Sequence, residues 1–165
     1  MSPKTFSRLS REYFGTFLAP YGFLITDERS PLYYRINDNE IYHIVLPQLG
    51  SRGVWFDVNV FGHSPRLREN FYEEFPDSVT IPSDSFSYLH PKTGVGIDQK
   101  LYPSRTEEGF VRNFKNEAKP ALEHFGLPYL DKLKTLDDVI ATIPINMRHL
   151  WNIPPDKKNI KWIRA

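Results

Sequence analysis

LYYRINDNEIYHIVLPQLGSRGVWFDVNVF, residues 32–61, holds three apolar runs that alternate in and out and are separated only by short turn-forming segments. A period of two is the signature of a half-buried strand, so the stretch reads as an antiparallel meander. Leu32, Tyr34 and Ile36 alternate with Tyr33, Arg35 and Asn37 ahead of Asp38-Asn39-Glu40. A three-residue loop, with Asn39 in a left-handed conformation, sets Ile36 opposite Tyr42, Tyr34 opposite Ile44 and Leu32 opposite Leu46. A two-residue loop would oppose Arg35 to Tyr42 and mix the faces. Because a slip of one residue turns every side chain over, the apolar match favours the longer loop.

The next connection, Leu49–Gly53, reads as a five-residue turn that pairs Gln48 with Val54, Leu46 with Phe56, Ile44 with Val58 and Tyr42 with Val60. One face then carries Leu32, Tyr34, Ile36, Tyr42, Ile44, Leu46, Phe56, Val58 and Val60, a core face. The other carries Tyr33, Arg35, His43, Val45, Pro47, Trp55, Asp57 and Asn59. Arg35, His43 and Asn59 fall in one cross-strand row, and Tyr33, Val45 and Asp57 in the next. That second face is where chemistry or recognition is expected.

A helix over 3–19 is the expected cover for the core face. Phe6, Leu9, Tyr13, Phe14, Phe17 and Leu18 recur at three- and four-residue steps, with Lys4, Arg8, Arg11 and Glu12 elsewhere on the wheel. A membrane-surface helix is the competing reading of such a basic amphipathic segment. Aromatics beside a half-apolar sheet bury against it instead. Pro20 and Gly22 stop the helix, Phe23-Leu24-Ile25 offers a first strand, and a turn follows over Asp27–Pro31.

The chain of 165 residues is long enough for one domain with a substantial core. Its 21 basic and 20 acidic residues give a net charge of +1, without the basic surplus of a duplex-binding module. With no cysteine, disulfides and thiolate metal sites are excluded. No apolar run approaches the roughly 18 residues that span a bilayer, and the start lacks a signal-peptide core, so no membrane association is expected and cytoplasm is the expected location. Gly94-Val95-Gly96 opens like a dinucleotide fingerprint, but the third glycine and the following helix are missing, and no cofactor is expected.

Beyond the meander (23–61) lies a loop-rich insert over 62–104. Ser64-Pro65 suits a short helix with Leu67, Phe71, Tyr72 and Phe75 on one side, ended by Pro76, and short extended pieces are expected at Phe86–Leu89 and Val95–Leu101. A helical region over 105–143 follows, with Phe110, Phe114, Ala118, Leu122 and Phe125 on one side. Pro120 is expected to kink or divide it, and Thr135 to cap a last helix through about Ile143. The tail, 144–165, carries Leu150, Trp151, Ile153, Ile160, Trp162 and Ile163 among basic residues, and is expected to dock on its own domain or on a partner.

The segments FLAPYGF (17–23), LYYRI (32–36), IYHIVLPQ (41–48), VWFDVNVFG (54–62) and LPYLDKLKTLDDVI (127–140) together resemble small uncharacterised bacterial cytoplasmic helix-plus-antiparallel-sheet domains. In these a Gly-Phe follows the first helix, a Tyr-Arg strand comes next, and a Gln ends the strand before a Val-Asn strand. The insert at 62–104 is longer than theirs. The resemblance implies an immunity-like role, neutralising by binding, and carries no catalytic residues with it.

On the open face, His43 lies diagonal to Asp57, the arrangement of a general base and its orienting carboxylate. No cysteine or serine nucleophile accompanies them on these strands, and Asp57 with Arg35 also reads as a structural ion pair. His43, Asp57 and His63 are the nearest approach to a metal set, but the five histidines show no ligand spacing, and no metal is expected. Tyr33, Trp55, Arg35 and His43 resemble a stacking platform for single-stranded nucleic acid, but Asp57 in their midst argues against that partner.

The expected architecture is therefore α+β in a single domain, 1–165. It has an N-terminal helix packed on a four- to five-stranded antiparallel meander, and a helical C-terminal half. The expected function is non-enzymatic protein binding, or self-association, through Tyr33, Arg35, His43, Trp55, Asp57 and Asn59, or through the Trp151–Trp162 tail. The alternative is a small-molecule binder or hydrolase using a His43/Asp57 pair in a cleft closed by the 76–104 loops.

Overall fold

Ser2 opens the first helix: its hydroxyl accepts from the Thr5 N–H at 3.1 Å, and Pro3 occupies the first turn, where a missing N–H costs nothing. In the computed structural model, which describes residues 1–26, 31–67 and 87–143, helical backbone runs from Pro3–Ser10 through a wide π-helical turn at Arg11–Gly15 and Thr16–Leu18 to a tight turn at Ala19–Tyr21. Gly22, at φ +87°, ends it in the left-handed region. Phe6, Leu9, Phe14 and Leu18 are buried, as the three- and four-residue spacing expects.

Among the described residues seven strands follow: β1 (Leu24–Ile25), β2 (Tyr33–Ile36), β3 (Tyr42–Leu49), β4 (Trp55–His63), β5 (Tyr88–His90), β6 (Gly94–Gly96) and β7 (Tyr102–Pro103). They form one antiparallel sheet in the order β1 to β6, with β7 beside β4. The fold is α+β. Its strand count exceeds the expected four or five because the insert supplies three short strands. Two of these, β5 and β6, make a hairpin, and residues 97–101, expected to be extended with Val95, form no strand.

The β2–β3 register agrees with the expectation: Tyr34 faces Ile44 and Ile36 faces Tyr42 across a three-residue loop. The left-handed residue of that loop is Glu40, at φ +59°, rather than Asn39. The Asn37 side chain accepts from the N–H groups of Asn39 and Ile41, which ties the turn from its first position. Continued two residues beyond Tyr33 and Val45, the same register would set Pro31 against Pro47. Neither has an N–H to donate, so the ladder stops there.

The β3–β4 register departs from the expectation by three residues. Gln48 pairs with Asp57, Leu46 with Asn59 and Ile44 with Phe61. Gly50 donates to the Trp55 carbonyl at 2.8 Å, leaving a four-residue loop in which Gly53 sits at φ +66°. The Trp55 indole lies across Gly50, where a Cβ would come within 2.5 Å of the ring. Both faces of β3 are apolar, so side-chain matching could not select the register; the two glycines do. An odd shift turns β4 over relative to β3.

Thr106 accepts from the Gly109 N–H and begins a second helical run. It continues through Glu107–Asn113, Phe114–Ala118, Lys119–Ala121, Leu122–Gly126 and Leu127–Asp131. Pro120 does not divide it: wider π-helical turns on either side absorb the missing donor. Phe125 is not on the buried side; it is exposed, with its ring against Gly94. A capping box at Thr135 and Asp138 opens the last described helix, Leu136–Thr142.

Both helical runs lie on one face of the sheet. Phe6, Phe14, Phe110 and Phe114 pack with Tyr33, Val45, Phe56, Val58, Val60 and Tyr102 in one core. Phe14 meets Phe114 edge-on at 4.8 Å, and Phe56 stacks on Tyr102 at 5.0 Å. Among the described residues no helix is long and apolar enough to cross a membrane. Ser64 caps a helical turn at 65–67, accepting from the Arg66 N–H. Residues 27–30 of the expected Asp27–Pro31 turn, the side chains of Phe71, Tyr72, Phe75 and Phe86, and the 144–165 tail lie outside the described residues.

Candidate functional site

The changed register divides the expected recognition face. Tyr33, Arg35, His43 and Val45 fall on the side covered by helices, together with Phe56, Val58 and Val60. Trp55, Asp57 and Asn59 point to the opposite side, with Tyr34, Ile36, Tyr42, Ile44, Leu46 and Gln48. Hence the expected core face and open face each contain half of the real ones. His43 and Asp57 occupy opposite surfaces, and the general-base pair is not assembled. Ile36, expected in the core, is 51% exposed.

On the helix side, Arg35 and His43 are fully engaged with the fold. Arg35 donates from Nε to His43 Nδ1 at 3.0 Å, from one terminal nitrogen to the Tyr21 carbonyl at 3.0 Å, and from the other to Asp131 Oδ1 at 2.6 Å. Its guanidinium also sits 4.8 Å above the Phe23 ring. The ion pair of Arg35 is thus with Asp131, not with Asp57. The other imidazole nitrogen of His43 lies 2.7 Å from the Leu133 carbonyl. A carbonyl can only accept and the Arg35 N–H can only donate, so the ring is the neutral tautomer with its proton on Nε2.

Burial holds the His43 pKa below its ordinary 6.5; the Leu133 carbonyl opposes that shift and the Arg35 charge adds to it. Gly62, opposite His43, leaves room for the Leu133 side chain, which a Cβ would meet at 2.7 Å. Tyr33 is also structural. Its hydroxyl and that of Ser10 are 2.7 Å apart in the core, and burial pushes its pKa up to about 12.

The other side presents a different arrangement. β7 pairs with β4 at Trp55 and Phe56, and β5 pairs with it at Asn59, so this edge of β4 has no strand partner at Asp57 and Val58 among the described residues. The loop between β6 and β7 crosses there, and Gln99 Nε2 donates to Asp57 Oδ2 at 2.7 Å. Asp57 is 5% exposed, and its Oδ1 is buried without a hydrogen-bond partner among the described residues. Burial raises the carboxyl pKa, and the Gln99 bond offsets part of that.

Asp57 also forms part of the wall of an open cleft of about 630 Å³, with Leu46, Gln48, Trp55, Ser51 and, from the first helix, Phe6. This volume is in the range that holds a small ligand or an anchoring side chain. Asn59, one step along β4, is buried and opposite Leu46. Gln48 and Gln99 were not candidates from the sequence. Gln48 becomes one through the register alone, and Gln99 stands in a loop with no local signal.

No group of three metal-ligating side chains gathers among the described residues. Of the weighed set, His43 is on the far face, and His63 lies six residues from Asp57 along β4, about 20 Å at the usual strand rise. Ring contacts place His63 edge-on to Tyr42 instead. Searches against protein-family models, curated proteins and solved structures find no match to this chain.

Proposed function

We propose that this protein is a non-enzymatic cytoplasmic binding domain, immunity-like in acting by contact with another protein, and that the Trp55/Asp57 cleft is its point of contact. The observation that carries the reading is the Asp57 carboxylate: buried, next to a cleft, and holding one oxygen with no donor. Buried polar atoms are nearly always paired inside a fold, so an exception beside a cleft marks a group kept for something outside it. Trp55 supports the same reading, since partly exposed indoles are common energetic anchors of interfaces. Of the six residues expected to bind, Trp55 and Asp57 remain at this site, while Tyr33, Arg35 and His43 serve the interior. No observation favours a hydrolase built on His43 and Asp57.

The test is a map of chemical-shift changes as short peptides of varied side-chain chemistry are titrated into the full chain. Shifts concentrated at Leu46, Gln48, Trp55, Asp57 and Gln99 support the proposal. Shifts centred instead on the hollow of about 430 Å³ lined by Asp38, Glu40, Ser64 and Arg66 would overturn it. Concentration-dependent dimerisation with shifts at the cleft would identify a second copy as the occupant, in place of a different protein.

A further inference from the structure

Resting on that reading of the cleft, we infer that it takes a guanidinium group, presented as an arginine side chain of the partner protein. Asp57 is the only charged residue in the described lining, which otherwise consists of apolar side chains, Gln48, Ser51 and Gly50. Among the described residues no cation pairs with it. Arg35 belongs to Asp131, and Lys100, on the adjoining loop, lies 4.0 Å from Glu117. The Asp57 carboxylate therefore has one oxygen held by the neutral Gln99 amide and one, enclosed in the cleft wall, with no donor among the described residues.

The shape of the wall selects among cationic donors. The Trp55 indole lies flat across Gly50, in space that any Cβ at that position would fill. A flat aromatic beside a carboxylate suits a planar, weakly hydrated cation, which stacks on the ring while its N–H edge meets the oxygen. An ammonium has the charge but not the plane, and holds its water more strongly. Leu46, Leu49 and Pro3 offer apolar surface for the three methylene groups of the arginine stem. Gln48, directly opposite Asp57 in the ladder, supplies an amide oxygen for a further guanidinium N–H.

The experiment is calorimetric titration of the full chain with an acetylated, amidated Gly-Arg-Gly peptide, its lysine and citrulline counterparts, and free N-acetyl-arginine amide. Citrulline keeps the shape and removes the charge. Arginine should bind at least about tenfold more tightly than citrulline, the worth of one charge-assisted hydrogen bond, and more tightly than lysine. The Asp57→Asn variant should lose the arginine preference while its thermal midpoint is unchanged or higher.

Equal binding of arginine and citrulline by the unaltered protein would overturn the inference without recourse to any variant, and so would full arginine binding by Asp57→Asn. Tighter binding of the peptide than of the free amide supports a protein source. Equal binding of those two overturns the partner protein as the source and assigns the site to a free guanidinium compound. If arginine fails while other peptides still map to the cleft, only this inference falls; if nothing maps there, the reading beneath it falls as well.

Discussion

Two polar groups are buried on opposite sides of the same pair of strands, and they have been treated in opposite ways by the fold. Arg35 and His43, under the helices, have their hydrogen bonds directed at specific partners from the first helical run, the sheet and the second helical run. Asp57, on the other face and beside the β6–β7 loop, has one donor for two oxygens among the described residues. The first cluster is a clamp that contributes stability. The second costs stability in the isolated chain, since a buried charged oxygen lacking a donor forfeits solvation without compensation. Position in sequence does not separate them; what packs against each does.

The largest effect is expected at Arg35. Replacing it by Met keeps the stem and removes the bonds to His43, Tyr21 and Asp131, so denaturant unfolding should show a loss of about 3 kcal/mol. A change of less than about 1 kcal/mol would mean the clamp is decorative. Gly62→Ala probes the same side through packing. Its added methyl meets Leu133 and Val139, and a loss of about 2 kcal/mol is expected from overpacking. On the other side the sign reverses. Asp57→Asn should leave the protein as stable or stabilise it by about 1 kcal/mol at neutral pH, because the burdened charge is gone while the Gln99 amide keeps an oxygen to donate to. Clear destabilisation by that substitution would place Asp57 among the structural residues.

Smaller effects of opposite sign are expected in the pH dependence of stability. His43 has a lowered folded pKa, so its contribution is intact above its ordinary 6.5 and is lost as the pH falls through that value toward the folded one. Asp57 has a raised folded pKa: its contribution is intact below the ordinary 3.8 and is lost as the pH rises through the folded value. Stability profiles from pH 4 to 8 should therefore lose their acid-side decline near neutrality in His43→Gln. In Asp57→Asn they should lose the opposing decline that begins in the carboxylate range. Identical profiles for the two variants would show that neither group is coupled to folding as its burial implies.

Much of this was legible from local patterns. The stripe of Phe6, Leu9, Phe14 and Leu18 declares a helix and its buried side, and the alternation around Asp38–Glu40 selects the β2–β3 register because a slip would mix charged and apolar rows. Thr106 and Thr135 announce their helices through side chains that satisfy the first free N–H groups. The candidate site was legible only in pieces. Trp55 and Asp57 stand out by residue type, but the face they share does not include Arg35 or His43, since β3 is apolar on both sides and accepts β4 in either sense. Gln99 reaches Asp57 across 42 positions of chain, a closure no local pattern encodes.

The class of fold, the first hairpin and the helix starts follow from local sequence, because each depends on interactions between residues a few positions apart. Long-range packing set which side of the sheet the helices cover, and hence that His43 is enclosed with its partners while Asp57 is left beside a cleft. That choice depends on a glycine-bounded loop and on the packing of distant elements, whose energies are set by shape in three dimensions rather than by spacing along the chain.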